Sequence, residues 1–199
     1  MNADLHEFVE TVCDAVALRA GHSSAAGRLA EQVRVAPRRE RAVTPSQLPG
    51  CAFVADAVRQ AKSAEDPVIA RIAGMIDAQS PRLRWMLRTG LPGAAEDFPL
   101  RHANAMFVGD NGLAMSDVTV GVTIMGPNTV YSDHSHPPEE TYLVLSPGEW
   151  RQQSGPWREP GVGGVVYNPP GIVHSMRAGS HPLLAVWLLR PADQAGGAS

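Results

Sequence analysis

From residue 98 onward the hydrophobic pattern changes from helical spacing to strand alternation. That switch limits the fold of this 199-residue chain more than any other feature. Short runs rich in β-branched and aromatic residues (MFVG, VTVGVTIMG, TYLVLS, GGVVYN, LLAVWLL) are separated by Gly, Pro, Asn and Asp turns. This is the pattern of an antiparallel sandwich or barrel. Several runs are apolar on both faces, so one face fills an interior while the other needs a cover, either the N-terminal helices or a partner. The second half also holds 13 of the 19 glycines, 11 of the 17 prolines, all three tyrosines and five of the seven histidines. Turn formers and chemistry-bearing residues are therefore concentrated in the same segment.

Residues 1–97 read as helices. Leu5, Phe8, Val9, Val12, Val16 and Leu18 recur near helical spacing, with Asn2 or Asp4 as a start and Gly21 as a stop. Ser23 or Ser24 caps a second helix running to about Val35. Further helices are expected at roughly 51–63, 67–78 and 81–89, the last two with proline near the first turn. Between them the stretch RVAPRRERAVTPSQLPG reads as a solvated linker, and Arg38, Arg39 and Arg41 as its basic cluster or an anion-binding patch. The expected organisation is a helical extension over 1–97, a β unit over 98–192 and a flexible tail over 193–199.

Net charge is −3 with pI near 6.1, which gives no electrostatic reason to expect nucleic acid or an acidic membrane surface. The seven residues from Leu183 to Leu189 form the most apolar run, against the roughly 20 that a membrane helix needs. The acidic, amphipathic opening MNADLHEFVE does not read as a secretion signal, so a cytoplasmic protein is expected. Two cysteines, Cys13 and Cys51, read as small hydrophobes rather than as a disulfide or a zinc site.

The segment Tyr131-Ser-Asp-His134-Ser-His136-Pro-Pro-Glu139-Glu140-Thr-Tyr142 carries the chemistry. Alternate strand residues share a face, so His134 and His136 point together, as do Glu140, Tyr142 and Val144 beyond the Pro-Pro turn. Two imidazoles and a carboxylate on one interior can bind a divalent ion such as Zn, Fe(II) or Mn. A Pro/Gly turn after Tyr167 delivers a third imidazole, His174, at the start of the next strand. Glu139 has the opposite parity and reads as solvent-facing. Asp133 reads either as a hydrogen-bond partner of a ligand histidine or as a turn residue. His6, His22, His102 and His181 have no partner at ligand spacing.

His134-x-His136-x3-Glu140 followed by Gly163-x5-Pro169-x-Gly171-x2-His174 resembles the two motifs of the cupins. Gly126 stands eight rather than six residues before His134, and Ala178 replaces the customary final Asn. The helical segment ahead of the barrel, the Tyr131–Tyr142 stretch and Leu145-Ser-Pro-Gly-Glu-Trp150 are together similar to the bacterial dimethylsulfoniopropionate (DMSP) lyases of that superfamily. The resemblance implies a mainly β cupin barrel with an N-terminal α-helical extension. It also implies one divalent metal and cleavage of DMSP to acrylate and dimethyl sulfide. Carried over by position, the metal ligands are His136, Glu140 and His174, with His134 a fourth ligand or a close neighbour. Tyr142 is the tyrosine beside the metal and Tyr131 a second pocket tyrosine.

The residues suit such an elimination. Tyr142 is placed to remove the proton α to the carboxylate once a cation favours its phenolate. A sulfonium favours aromatic faces, for which Tyr131 and Trp187 are candidates; Trp150 and Trp157 read as loop residues serving as a lid or as turn anchors. A dioxygenase or isomerase on the same ligands, and a non-enzymatic binding cupin, are the competing readings. Cupin sheets often pair, which makes a homodimer the expected assembly.

Overall fold

The helical spacing of the first third is realised in the computed structural model, which describes residues 3–191. Helix α1 (Ala3–Ala20) buries Leu5, Phe8, Val9, Val12 and Val16. It stops at Gly21, whose φ of +85° glycine adopts without steric cost. Asp4 lies in the first turn of α1 rather than before it, and Asn2 lies outside the described residues, as does the tail 193–199. Ser24 caps α2 (Ala25–Val35), its Oγ accepting from the Gly27 N–H at 3.0 Å. A 3-10 turn, Pro49–Phe53, leads into α3 (Val54–Lys62). Asp66 caps α4 (Pro67–Gln79), accepting from Val68 N at 2.9 Å, and also pairs with Arg19 of α1.

The basic cluster works on backbone. Arg38 donates to the carbonyls of Val33 (2.6 Å) and Arg34 (2.7 Å), satisfying the C-terminal end of α2. Arg39 and Glu40 form β1 (Arg39–Glu40), and Arg41 donates to the Asp110 carbonyl at 2.7 Å. The helix expected at 81–89 is absent. A 3-10 turn, Ser80–Arg82, is followed by a short strand, β2 (Trp85–Met86). Leu83 and Trp85 are buried while Arg82 and Arg84 are exposed, a period of two that a helical reading of Pro81 obscures.

The rest is β, apart from one turn of helix, α5 (Phe98–Arg101). The strands are β3 (His102–Val108), β4 (Ala114–Met115), β5 (Thr119–Met125), β6 (Val130–His134) and β7 (Glu139–Val144). They continue with β8 (Glu149–Gln152), β9 (Val165–Asn168), β10 (His174–Arg177) and β11 (Leu183–Arg190). The larger sheet runs β1-β4-β3-β5-β11-β7-β9, with β2 on β3, and the smaller runs β6-β10-β8. The expected barrel is thus two sheets, with no ladder joining them among the described residues.

Alternation sorts the larger sheet's side chains into two cores. Ala103, Ala105, Phe107, Val122, Ile124, Leu143, Leu184 and Val186 pack against the helices. Phe107 stacks on Phe8 of α1 with ring centroids 4.0 Å apart. The opposite face, with Tyr142, Val144, Ala185 and Trp187, meets Tyr131, Trp150 and Met176 from the smaller sheet. The strands that are apolar on both sides are those covered by helices on one side and by the second sheet on the other.

Phe107→Ala removes the ring that joins helices to sheet and is expected to cost about 3–5 kcal/mol. Urea unfolding followed by far-UV circular dichroism checks this, and helical and strand signals are expected to be lost in one transition.

Candidate metal centre and active site

Register places the site. Across the inner face of the larger sheet, Met106, Gly121, Trp187, Tyr142 and Val166 form one row through β3, β5, β11, β7 and β9. Two residues along β7, the next row holds Leu189, Glu140 and Asn168. On the other side lie Asn104, Thr123, Ala185 and Val144. Gly121 is needed for steric reasons. A Cβ there would lie 2.2 Å from Cζ2 of Trp187, so the indole lies over β5 in the space the glycine leaves.

The smaller sheet supplies the imidazoles. His134 ends β6 and pairs in the ladder with His174, the first residue of β10, with ring centroids 4.2 Å apart. His136 follows in the turn that Pro137 and Pro138 make, and its carbonyl accepts from the Gly171 N–H at 3.0 Å. That bond ties the turn of the second motif to the first. One ligand nitrogen from each of His134, His136 and His174 lies within 4.8 Å of the others.

All three rings are oriented in the same way. Nδ1 of His134 donates to Ser132 O (2.8 Å), that of His136 to Pro138 O (2.9 Å) and that of His174 to Ile172 O (3.0 Å). A carbonyl only accepts, so Nδ1 carries the hydrogen in each case, and a neutral ring then presents Nε2 as a bare lone pair. Glu140 Oε2 lies 3.3 Å from His136 Nε2 and 3.1 Å from His174 Nε2. Two acceptors facing each other at that distance need a proton or a cation between them. The buried Nε2 of His174 has no hydrogen-bond donor of its own to satisfy it. On these grounds the four residues fit a divalent ion with nitrogen and oxygen ligands.

Glu140 is held from behind. Asn168 Nδ2 donates to Glu140 Oε2 at 3.0 Å, and Gln152 Nε2 donates to Asn168 Oδ1 at 2.8 Å and to Tyr167 O at 2.7 Å. Gln152 thereby fixes which way the Asn168 amide faces. Burial pushes the Glu140 carboxyl up, but His136 and His174, when protonated at Nε2, outweigh it and bring it down to about 2. Burial, followed by the neighbouring His174, lowers His134 to about 4, which keeps its ring neutral. Burial and then the Glu140 charge raise the Tyr142 phenol well above 10, so with these neighbours alone it stays protonated.

A cavity of about 320 Å³ opens on this cluster. His134, His136, Glu140, Tyr142, Tyr131 and Trp187 all line it, and the almost wholly buried His174 adjoins Glu140. Trp150 and Trp157 do not line it. Trp150 is buried in β8, 6.1 Å from Tyr142, because the WRQ run pairs with β10. Trp157 is a surface platform, with the Arg151 and Arg177 guanidinium groups 4.8 and 4.5 Å from its ring centroid. Asp133 accepts from Arg151 at 2.6 Å rather than from a ligand histidine. Glu139 accepts from the Tyr167 hydroxyl at 2.8 Å.

The cavity also takes in Met86, Arg88, Asn104, Met106, Thr123 and Met176, none of which stood out in the sequence. The alternation of HANAMFV carried a usable signal for Asn104 and Met106, since both oppose Ala103, Ala105 and Phe107. His102 was expected to be without assignable chemistry, yet it is buried beside the site. Its Nε2 contacts Asn104 Oδ1 (3.1 Å) and Thr123 Oγ1 (3.3 Å), and its ring stacks on Phe98 at 4.6 Å.

The sequence model of the dimethylsulfoniopropionate lyase family matches residues 21–185. The chain belongs to that family. By family this DMSP lyase chain is a carbon–sulfur lyase. No curated protein matches its sequence at a significant level. Among solved structures, it is similar to a chain described under "Crystal structures of DMSP lyases RdDddP and RnDddQII", with TM-score 0.75 and 21% identity. That match covers 98% of this chain and 95% of the other. It is also similar to DMSP lyase DddQ from Ruegeria pomeroyi DSS-3, with TM-score 0.69 and 24% identity, covering 99% and 95%. These likenesses establish the fold, two β-sheets with helices on the outer face of the larger. Among the described residues no helix is long and apolar enough to cross a membrane.

Burial, outweighing the opposing hydrogen bond with Asn104, depresses His102 to about 3, so the folded lyase resists protonating it while the unfolded chain takes up that proton near 6.5. Stability is therefore expected to fall as pH drops from about 6.5 towards 3, by at most about 1.4 kcal/mol per pH unit for this group. In chelator-treated protein, His102→Leu is expected to flatten that fall when urea unfolding is compared at pH 6.5 and 4.5.

Proposed function

We propose that this chain cleaves dimethylsulfoniopropionate to acrylate and dimethyl sulfide by a metal-dependent β-elimination. The observation that carries the reading is the convergence of three Nε2 lone pairs and the Glu140 carboxylate beside Tyr142 in one cavity. In this reading residues 98–192 carry the chemistry, and the helices of residues 1–97 support it from the outer face of the larger sheet, while Met86 and Arg88 add to the cavity wall.

His134, His136, Glu140 and His174 would hold one divalent ion, Zn, Fe(II) or Mn being compatible with these donors. Such an ion supplies a positive charge that acidifies the proton α to a bound carboxylate and favours the phenolate of Tyr142. Tyr142 takes that α proton. The C–H electron pair becomes the new C=C bond of acrylate, the C–S bond breaks, and its electrons leave on neutral dimethyl sulfide. A base with the ordinary pKa of tyrosine is too rarely ionised at neutral pH, and burial beside Glu140 makes this one rarer still. The proposed base is therefore one that works only in the loaded site.

Spacing supports the division of labour. Glu140 and Tyr142 are two residues apart on β7, about 6.5–7 Å along the strand, and Trp187 stands next to Tyr142 in the ladder. A carboxylate near Glu140 leaves the α carbon near Tyr142 and the sulfonium against the faces of Trp187 and Tyr131, with Met106 in the same row.

Headspace chromatography of dimethyl sulfide from protein, DMSP and added Zn, Fe(II) or Mn tests the activity; no release with any of the three overturns it. Tyr142→Phe is expected to lower kcat at least about 100-fold, and His136→Ala to abolish turnover along with metal retention. Full activity in Tyr142→Phe refutes only its role as base. Asn168→Leu strips Glu140 of its amide donor and is expected to weaken metal binding by about 10–100-fold, read by competition with a chromogenic chelator.

A further inference from the structure

A substrate with a carboxylate at one end and a sulfonium at the other must enter in one orientation, and this inference rests on that substrate class. Among the residues lining the cavity, Arg88 alone carries a permanent positive charge. Its position follows from strand register. Strand β2 is fixed to β3 by the pairs Trp85–Ala105 and Met86–Asn104, so Met86 extends the row of Asn104 and Thr123 on the cavity side. Arg88, two residues on with the same parity, follows where β2 has ended and the chain is exposed.

Arg19, Arg101, Arg151 and Arg177 each hold a carboxylate of their own, whereas no hydrogen bond or ion pair engages Arg88 among the described residues. A guanidinium at a cavity rim is suited to a carboxylate, which it binds through two parallel N–H donors.

We propose that Arg88 is a carboxylate subsite of this pocket, binding small monocarboxylates whether or not they can react. It takes the anionic end of the substrate at the rim and repels the sulfonium end. From the rim the carboxylate passes on to the ion proposed beside Glu140, where the sulfonium lies against Trp187 and Met106 as in the proposed turnover. The acrylate product meets the same group as it leaves. Because Arg88 is exposed, its attraction is weakened by salt, unlike the contacts within the buried cluster.

Propionate is the probe, since it has the carboxylate and no leaving group. Its binding to the purified full-length protein is measured by isothermal titration calorimetry, with propionamide as the neutral control. Arg88→Met is expected to weaken propionate about tenfold or more, to leave propionamide unchanged and to remove most of the salt dependence. Arg88→Lys is expected to restore part of the affinity, a point charge replacing the fork. With DMSP, the rise in KM in Arg88→Met is expected to exceed any fall in kcat. Propionate binding equal in wild type and Arg88→Met, or absent from wild type, overturns the subsite. If wild type releases no dimethyl sulfide yet binds propionate through Arg88, the lyase reading falls and the subsite stands. If Arg88→Met turns over DMSP with the wild-type KM, the subsite falls and the lyase stands.

Discussion

Three backbone carbonyls, those of Ser132, Pro138 and Ile172, determine what the centre of this protein can do. Each lies two residues from the histidine whose Nδ1–H it accepts, so the tautomer of each ring is set by its own stretch of chain. With the hydrogens committed outward, the inner edges of the three rings offer lone pairs alone, and Glu140 brings a fourth acceptor among them. Burial makes that arrangement costly unless something positive lies between the acceptors. The strands, the Pro-Pro turn and the Pro/Gly turn before His174 can be understood as the means of holding four like-natured groups at one place. The second tier serves the same end, since Gln152 orients Asn168 and Asn168 occupies one lone pair of Glu140.

Such a site needs a rigid support, which the two-sided larger sheet provides. Its outer face is locked by α1 to α4 through a continuous apolar core, with Phe8 on Phe107 as the tightest aromatic contact. Its inner face can then be given over to a cavity without leaving the strands half solvated. The cavity lies between two sheets that the chain builds by alternating between them, β6 and β10 on one side and β7 and β11 on the other. This explains why candidate ligands 38 residues apart, His136 and His174, meet at all.

How much of this the sequence disclosed depends on the range of the interaction. The parity of His134 with His136 and of Glu140 with Tyr142 is local strand geometry, so the cluster could be named before any fold was known. Gly21 and Ser24 mark their helices through local capping and Pro67 marks the first turn of α4, and those helices lie within a residue or two of expectation. What escaped was non-local. Trp85–Met86 is a strand because β3 offers it an edge, and nothing between Pro81 and Thr89 announces that edge. Asn168 becomes the partner of Glu140 only through the register of β7 on β9, and Trp150 leaves the loop class only through pairing with β10. His102, judged to be without chemistry, is buried because α5 and β5 cover it, with Phe98 stacked on its ring and Thr123 against Nε2. Arg88 had no signal at all, because an exposed arginine after a short strand is ordinary until the cavity beside it is known.

Gly121 shows how a residue without a side chain takes part in recognition. Were any Cβ present at that point of β5, the indole of Trp187 would have to shift from its present place, since the clash would be with Cζ2 at 2.2 Å. The wall beside Tyr142 would then be made of whatever side chain replaced the glycine, and a flat polarisable surface would be lost. Because the ladder sets Trp187 between Gly121 and Tyr142, the aromatic surface and the proposed base are fixed relative to each other by backbone hydrogen bonds rather than by side-chain packing. In the proposed elimination, selectivity for a soft cation and removal of a proton one carbon away from the leaving group's carbon would thus be set by a single register. A shift of one residue would turn both away from the cavity together.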